Sequence, residues 1–239
     1  MSKITIKVFK AKRSIVNIII VCMLTIVSLF AFLSSSTATT STSAEMVYYN
    51  GNTSSKKISL MINVYWGTEY LDDMLKVFDK YDVKTTFFVG GSWAKANRDI
   101  LIKIKESGHE IGNHGYNHKD SDKISETELK KEIMLCHNVV KEICDIEMNL
   151  FAPPSGAINK KTSQIAYENG YKTIMWSKDT IDWKYKDEWM IYTRAINKPK
   201  GGDFILMHPT EATLASLSKI IEFYQKEGFK LTTVSDNLS

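Results

Sequence analysis

The feature that most constrains the fold is a regular alternation of strand-like and helix-like segments from Lys57 to the C-terminus. The strand candidates are KISLMINV, KTTFFVG, HEIGNH, MNLFAPP, YKTIMWS, DFILMHP and FKLTTVS. Helix candidates with amphipathic spacing lie between them, for example SETELKKEIMLCHNVVKEIC. Strands that alternate with helices form a parallel sheet, either open or closed into a barrel. Seven strands are too few for a complete eight-fold barrel, so we predict an α/β fold, a distorted and incomplete (β/α)7-8 barrel with parallel strands.

Residues 1–33 have the pattern of an export signal. Lysines and arginines precede a nearly uninterrupted apolar run from Ile15 to Leu33, and small polar residues follow it. Among these, Thr42-Ser43-Ala44 suits a signal peptidase. The run is long for a signal peptide and close to the roughly 20 residues that span a bilayer, so a cleaved signal and a retained membrane anchor both stay open. Either predicts an exported, extracytoplasmic protein, secreted or membrane-anchored, that meets the membrane only through this segment.

Residues 34–56 are rich in Ser, Thr and Asn, which predicts a linker and leaves residues 57–239 as the folded domain. The 31 lysines and arginines of the chain include those of the leader, and the remainder nearly balances the 27 acids. No basic surface is left that would attract nucleic acid, so this class of partner is excluded.

Two cysteines and two histidines are predicted to have structural rather than chemical roles. Cys136 and Cys144 lie ~12 Å apart on one predicted helix, which is beyond the reach of a disulfide, so both are predicted as buried thiols. His109 is predicted to pack within its strand. His137 lies off the apolar stripe of its helix and is predicted to be solvated.

Unusual side chains gather where the predicted strands end. The segments at these ends are Asn63-Val64-Tyr65-Trp66-Gly67, His114 to His118, APPSG, DTIDW and Met207-His208-Pro209. Because the carboxyl ends of parallel strands meet at one rim, and functional residues of such folds lie there, we expect the site at this rim.

His114 and His118 are four residues apart, with Gly115 directly after the first of them. Two imidazoles at this spacing can face a single point, which suits a divalent metal such as zinc. The same spacing also fits a pair of partly exposed polar residues in a glycine-containing loop. The zinc-protease helix is excluded, because it requires Glu directly after the first histidine.

Several ordered motifs resemble a known enzyme family. The segments KTTFFVGGSW, GHEIGNHGYNH, DTIDW and ILMHP are similar to motifs of the polysaccharide deacetylases of carbohydrate esterase family four, the NodB-homology domain, in their usual order. The likeness covers roughly residue 57 to the C-terminus and looks nearest to an exported, sporulation-associated branch. It implies a distorted, incomplete β/α barrel and removal of N-acetyl groups from a glycan.

The resemblance also implies residue roles. In that family one Asp and two His hold a metal, usually zinc, while a second Asp serves as base and a His near the C-terminus as acid. His114 and His118 match the metal histidines, and His208 matches the acid. Asp179 or Asp182 matches the carboxylate that orients this acid. The residues that match the substrate-binding wall are Trp66, Trp183, Pro153 and Pro154.

The chain departs from the family at three positions. Asn63 and Val64 stand where the family has two adjacent aspartates, and Ala152 stands in place of an arginine. Asn63, at the position of the base, can ligate a metal through its amide oxygen but cannot take a proton near neutral pH. Glu69 is the candidate substitute carboxylate and metal ligand, although its place also fits the first turn of a helix, where the dipole favours an acid.

Two functions are consistent with these residues. The first is a zinc-dependent hydrolase that removes N-acetyl groups from a cell-wall glycan such as peptidoglycan, with an altered base. The second is a catalytically impaired family member that binds glycan or scaffolds partners at the envelope. A carboxylate within reach of the two histidines and a bound metal would distinguish them.

Overall fold

The computed structural model describes residues 20–26 and 47–239. The chain divides into two compact units, Met1–Ala44 and Glu45–Ser239. In the first unit, residues 20–26 are helical. Within the described residues, no helix is both long and apolar enough to cross a membrane. Most of the predicted leader, and residues 34–46 of the predicted linker, lie outside the described residues, so the choice between signal peptide and anchor stays a prediction.

The described part of the second unit contains nine strands, and every pairing between them is parallel. The strands are β1 (Val47–Tyr48), β2 (Lys57–Val64), β3 (Thr86–Val89), β4 (Glu110–Asn113), β5 (Leu150–Phe151), β6 (Lys172–Ile174), β7 (Lys178–Asp179), β8 (Phe204–Met207) and β9 (Lys230–Leu231). Their order is β1-β6-β5-β4-β3-β2-β8-β7, with β9 beside the start of β2. The sheet curls into an incomplete barrel, which confirms the predicted fold class.

The described part of this unit also contains eight helices, of which seven connect strands and the last follows β9. They are α1 (Leu71–Lys80), α2 (Gly91–Ala96), α3 (Arg98–Glu106), α4 (Glu126–Cys144), α5 (Lys160–Glu168), α6 (Glu188–Ile196), α7 (Glu211–Lys226) and α8 (Val234–Leu238), with a 3-10 turn at Pro154–Gly156. The longest, α4, is capped by Ser125, the residue before it, whose hydroxyl accepts a hydrogen bond from the amide of Glu128 at 3.2 Å. This bond satisfies one of the free amides at the start of the helix.

The central strand β2 sends alternate side chains to two different cores, because successive side chains of a strand point to opposite faces. The even-numbered residues from Ile58 to Val64 belong to the large cluster between sheet and helices. Met61 belongs to the smaller cluster on the other face of the sheet. This alternation places Asn63 on the concave side at the end of the strand, while Val64 is fully buried among the helices.

Two predictions about structural residues are wrong. Residues 47–56 are part of the folded unit and not a linker, since β1 pairs with β6 and Asn50 forms an antiparallel bridge with Asp203. His137 is not solvated: only 14% of its side chain is exposed. Its ring nitrogens bond Tyr171 at 2.5 Å and Glu147 at 2.9 Å. Local composition could not show that residues 47–50 pair with β6 and Asp203, because these partners are distant in sequence. It could not show the bonds of His137 either, because Glu147 lies beyond the end of the helix and Tyr171 lies further along the chain.

The predictions of buried cysteines and of a packed His109 are confirmed. Cys136 and Cys144 are free, buried thiols of the large cluster. The ring of His109 packs edge-on against Phe78 and Phe87 at centroid distances of 5.3 and 5.1 Å.

His109 is expected to make the fold acid-labile. Burial lowers the pKa of His109 from 6.5 to about 4. The unfolded chain therefore binds a proton that the folded chain rejects, and stability is lost as the pH falls from about 6.5 to about 4. The expected loss is about 3 kcal/mol, from 1.36 kcal/mol per pKa unit.

The measurement is urea unfolding between pH 7 and pH 4 for the wild type and for His109→Asn, whose amide oxygen can still accept the Thr85 N–H that now bonds Nδ1. The variant should lose about 3 kcal/mol less than the wild type over this range. Equal losses in the two proteins would show that another group causes the acid lability.

Candidate active site

A cavity of about 420 Å³ opens at the carboxyl ends of the strands. Seven of the residues singled out in the sequence line it: Asn63, Trp66, His114, His118, Asp179, Trp183 and His208. They come from β2, β7 and the segments after β2, β4, β7 and β8, which are far apart in sequence. The parallel sheet brings them together because all of these strands end at the same rim.

We call residues 114–118, which follow β4, the histidine loop. The amide of His114 donates to Val89 O at 3.0 Å, and its ring Nδ1 lies 2.7 Å from Ala152 O. Since a carbonyl can only accept, Nδ1 carries the proton and Nε2 keeps its lone pair. Burial, reinforced by the neighbouring His118, lowers the pKa of His114 to about 3. His114 is therefore a neutral donor of one lone pair at neutral pH.

His118 closes the histidine loop in a left-handed backbone conformation, with φ of 55°. Its ring lies 5.0 Å from that of His114, centroid to centroid. Burial lowers the pKa of His118 as well, so both rings are uncharged at neutral pH. The ring of Tyr65 stacks on His118 at 4.5 Å, and the Tyr65 hydroxyl bonds Asn117 O at 3.2 Å.

Asn63 supplies the cavity with an unsatisfied oxygen. The residue is 3% exposed, and its Oδ1 has no hydrogen-bond partner among the described residues. A buried polar atom without a partner is costly and calls for an explanation such as a bound ion or ligand. Oδ1 of Asn63 can therefore accept a hydrogen bond from a ligand or coordinate a cation.

On the opposite side of the cavity, His208 is held by Asp182. The Asp182 carboxylate, 3% exposed, accepts bonds from His208 Nδ1 at 2.7 Å, from the His208 amide at 2.6 Å and from the Thr213 hydroxyl at 2.5 Å. This arrangement fixes the ring and directs its other nitrogen away from the carboxylate. The indole of Trp66, 45% exposed, stacks on His208 at a centroid distance of 5.4 Å.

The structure separates the two aspartates that the sequence left as alternatives. Asp179 does not hold His208: its carboxylate accepts the amide of Ile181 at 2.8 Å, across a turn in which Ile181 has a φ of 55°. A β-branched residue is strained in that conformation. Asp179 lines the cavity and stabilises the turn before Asp182, and of the two aspartates it is Asp182 that bonds His208.

Four predicted residues, Asp182, Glu69, Pro153 and Pro154, are not among the described residues that line the cavity. Glu69 bonds the amide of its own neighbour Thr68 at 2.9 Å, so the structure does not bring this carboxylate to the histidines. Pro153 and Pro154 are buried behind the rim. The lining residues to which sequence reasoning assigned no role are Ser155, Gly156, Trp176 and Leu206. Ser155 and Gly156 belong to the APPSG segment already expected at the rim, whereas Trp176 and Leu206 lie inside predicted strands, where the rule about strand ends does not single them out.

The donor set fits a divalent cation held by neutral groups only. Nε2 of His114, the ring of His118 and the orphaned Oδ1 of Asn63 face one cavity. In the described part of the chain, no three His, Cys, Asp or Glu side chains are placed to hold a metal. Two imidazoles and an amide can ligate a divalent ion, but they provide no negative charge to balance it.

Comparison with known proteins places this site in a family. Residues 50–174 match the profile of the family described as "Polysaccharide deacetylase". The chain is 38% identical over 188 residues to "Uncharacterized protein YlxY" of Bacillus subtilis, covering 79% of this chain but only 59% of that protein. It is 31% identical to a "Peptidoglycan-N-acetylglucosamine deacetylase" of Bacillus cereus, covering 71% of this chain and 82% of that protein.

A solved structure is similar over most of the folded unit. The crystal structure of BA3943 of Bacillus anthracis, described as "a CE4 family pseudoenzyme", is 33% identical, with a TM-score of 0.80 and coverage of 82% of this chain and 70% of that chain. A BA3943 mutant described as having "restored enzymatic activity" matches equally well, at 32% identity and the same TM-score. The sequence match, the incomplete parallel barrel and the histidine-lined cavity at its rim agree, and the chain belongs to the polysaccharide deacetylase family.

Proposed function

We propose that this chain is a catalytically impaired deacetylase that binds N-acetylated cell-wall glycan in the rim cavity. The observation that carries the proposal is Asn63. It occupies the place at the end of β2 where a base is needed, and an amide cannot take a proton. The similarity to BA3943, a pseudoenzyme of the same family, supports this reading.

Residual hydrolysis is the second candidate, and one observation favours it. The Asp182–His208 pair keeps the geometry of a general acid that could protonate a leaving amine. His208 would deliver the proton through its free ring nitrogen, while Asp182 stabilises the imidazolium. Without a base, the expected rate is lower by about 10²–10⁴-fold than with one.

His114, His118 and the amide oxygen of Asn63 would hold a divalent metal, zinc being the expected ion. A cation bound there supplies Lewis acidity that polarises an amide carbonyl. The tautomer of His114 set by Ala152 O leaves the correct nitrogen free for such a bond. The lack of a carboxylate in this set makes the expected affinity lower than that of a site with one.

The ligand is proposed to be a peptidoglycan-type glycan containing N-acetyl sugars. Relatives from Bacillus cereus and Bacillus subtilis are peptidoglycan deacetylases by name. Trp66 and Trp183 are 45% and 58% exposed at the cavity, and exposed indoles offer large flat apolar surfaces to a sugar ring. We further propose that the protein is exported to the envelope and meets the membrane only through its N-terminal segment. We also propose that it belongs to the sporulation-associated branch.

The test is calorimetric titration of the full-length chain with N-acetylglucosamine oligomers, beside an assay of acetate release. Trp183→Ala is expected to weaken binding about tenfold, or about 1.4 kcal/mol, because it removes the more exposed of the two exposed indoles that line the cavity. Trp189→Ala is the matched control, since Trp189 is similarly exposed, at 64% against 58%, but is not among the described residues that line the cavity. Equal effects of the two variants, or no binding by the wild type, would contradict the proposal.

A further inference from the structure

We propose that Glu132 on α4 is the positioning residue of the histidine loop: its buried carboxylate sets where His118 lies. The proposal rests on the proposed function only in treating His118 as part of a binding site. It starts from an anomaly in α4. The buried stripe of that helix is otherwise apolar or thiol, yet one turn of it carries a carboxylate that is 3% exposed.

The carboxylate of Glu132 binds the histidine loop at three points. Its Oε2 accepts the amides of Tyr116 at 3.0 Å and Asn117 at 2.6 Å, and its Oε1 accepts the side-chain amide of Asn117 at 3.2 Å. Lys119 lies 3.6 Å from Oε1 and partly balances the charge. A buried carboxylate is costly unless such partners satisfy it, and here the partners are the backbone groups directly before His118.

The other side of the same loop is held by α2. The amides of Gly91 and Ser92 donate to the carbonyls of Gly115 and Tyr116 at 2.9 and 3.0 Å. A side chain at Gly91 would collide with the Tyr116 ring and the α4 backbone, since a Cβ there would lie 2.4 and 2.8 Å from their atoms. The loop is therefore clamped between α2, which binds its carbonyls, and Glu132, which binds its amides.

This clamp accounts for the backbone of His118. His118 has a φ of 55°, in the left-handed region that residues other than glycine seldom adopt. Such a conformation persists only when its surroundings over-determine it. Hydrogen bonds to a charged acceptor are about twice as strong as neutral ones, so Glu132 is the group able to hold the two preceding residues against this strain.

A purely structural role would predict only a loss of stability, so the test needs a local readout. Glu132→Gln keeps the shape of the side chain but removes its charge: the one remaining oxygen can still accept the two backbone amides, more weakly than a carboxylate does, while the new NH2 group cannot accept the side-chain amide of Asn117. Glu128→Gln is the matched control. It makes the same charge change one turn earlier on α4, where Glu128 pairs with the same Lys119 but touches no amide of the loop.

The experiment compares full-length wild type and both variants, without metal, by ¹⁵N–¹H NMR of the histidine rings. The chain has only five histidines, which makes the assignment practical. Glu132→Gln should shift the ring signals of His118 and leave those of His208 unchanged, and it should weaken Zn²⁺ binding at least tenfold if the wild type binds Zn²⁺. Glu128→Gln should leave the signals of both histidines in place.

An unshifted His118 in folded Glu132→Gln would overturn the proposal. If that variant does not fold, Glu132→Asp replaces it, because it keeps the charge but is one methylene too short to reach both amides. A folded Glu132→Asp with His118 unmoved overturns the proposal equally. If the wild type binds neither Zn²⁺ nor N-acetylglucosamine oligomers, the proposed function fails, and the metal-free ring signals still decide the role of Glu132.

Discussion

Asn63→Asp is expected to bind zinc more tightly than the wild type and to release acetate from N-acetylglucosamine oligomers about 10²–10⁴-fold faster. The side chain already lies in the cavity with His114 and His118, and its Oδ1 has no hydrogen-bond partner in the described part of the chain. A carboxylate in its place adds the missing negative charge and a group that can accept a proton near neutral pH. The change is isosteric, so the fold around β2 should not be disturbed.

The measurements are zinc affinity and acetate release by full-length Asn63→Asp. The double variant Asn63→Asp/His208→Ala is the control, because any gained activity should depend on the acid that Asp182 holds. A folded Asn63→Asp that binds zinc no better and releases no acetate would leave glycan binding as the sole function of the cavity. The BA3943 mutant described as having restored activity shows that a pseudoenzyme of this family can regain catalysis.

Val64→Asp, one residue further along, is expected to have the opposite effect and to destabilise the fold by about 3–5 kcal/mol. Val64 is fully buried in the large cluster on the helix side of the sheet. A carboxylate there would be an unpaired buried charge. Asn63 and Val64 are neighbours at the end of β2, but of the two only Asn63 lines the cavity, because successive side chains of a strand point to opposite faces.

Chemical denaturation of Val64→Asp and of its uncharged isostere Val64→Asn measures this difference. At pH 7 the aspartate variant should be the less stable of the two, and the gap should close as the pH falls and the carboxyl is protonated. If Val64→Asp is instead as stable as Val64→Asn and zinc binds it tightly, the carboxylate reaches the cavity and the alternation argument fails.

Local pattern was sufficient for most of the fold. The apolar run KISLMINV has the bounds of β2, Lys57–Val64, because a fully buried central strand carries its signal in every residue. The periodic stripe of α4 likewise marks the helix Glu126–Cys144. Strands β1 and β7 have two residues each and escaped prediction because neither lies inside a longer apolar segment, as the equally short β5 and β9 do. Residues 47–56 have a linker's composition, and only their pairing with the sheet reveals their place.

Some site residues could likewise be found from the sequence, whereas others could not. His114, His118 and His208 could be found from sequence because parallel strands end at one rim, so residues after strand ends must meet. Which of Asp179 and Asp182 holds His208 could not, since it depends on a strained turn at Ile181. Glu69 is close to the rim in sequence, yet its carboxylate turns back to its neighbour's amide.

The sequence by itself determined the parallel α/β barrel, the rim at its strand ends and the histidine pair, because these follow from periodicity and from residue chemistry. The tertiary structure decided that Asn63 and not Val64 faces the cavity, that Asp182 orients His208, and that Glu132 holds the histidine loop. These depend on which distant backbone groups a side chain meets. Hydrogen bonds between elements far apart in sequence do not produce a repeating pattern of residues, so they cannot be predicted from sequence periodicity.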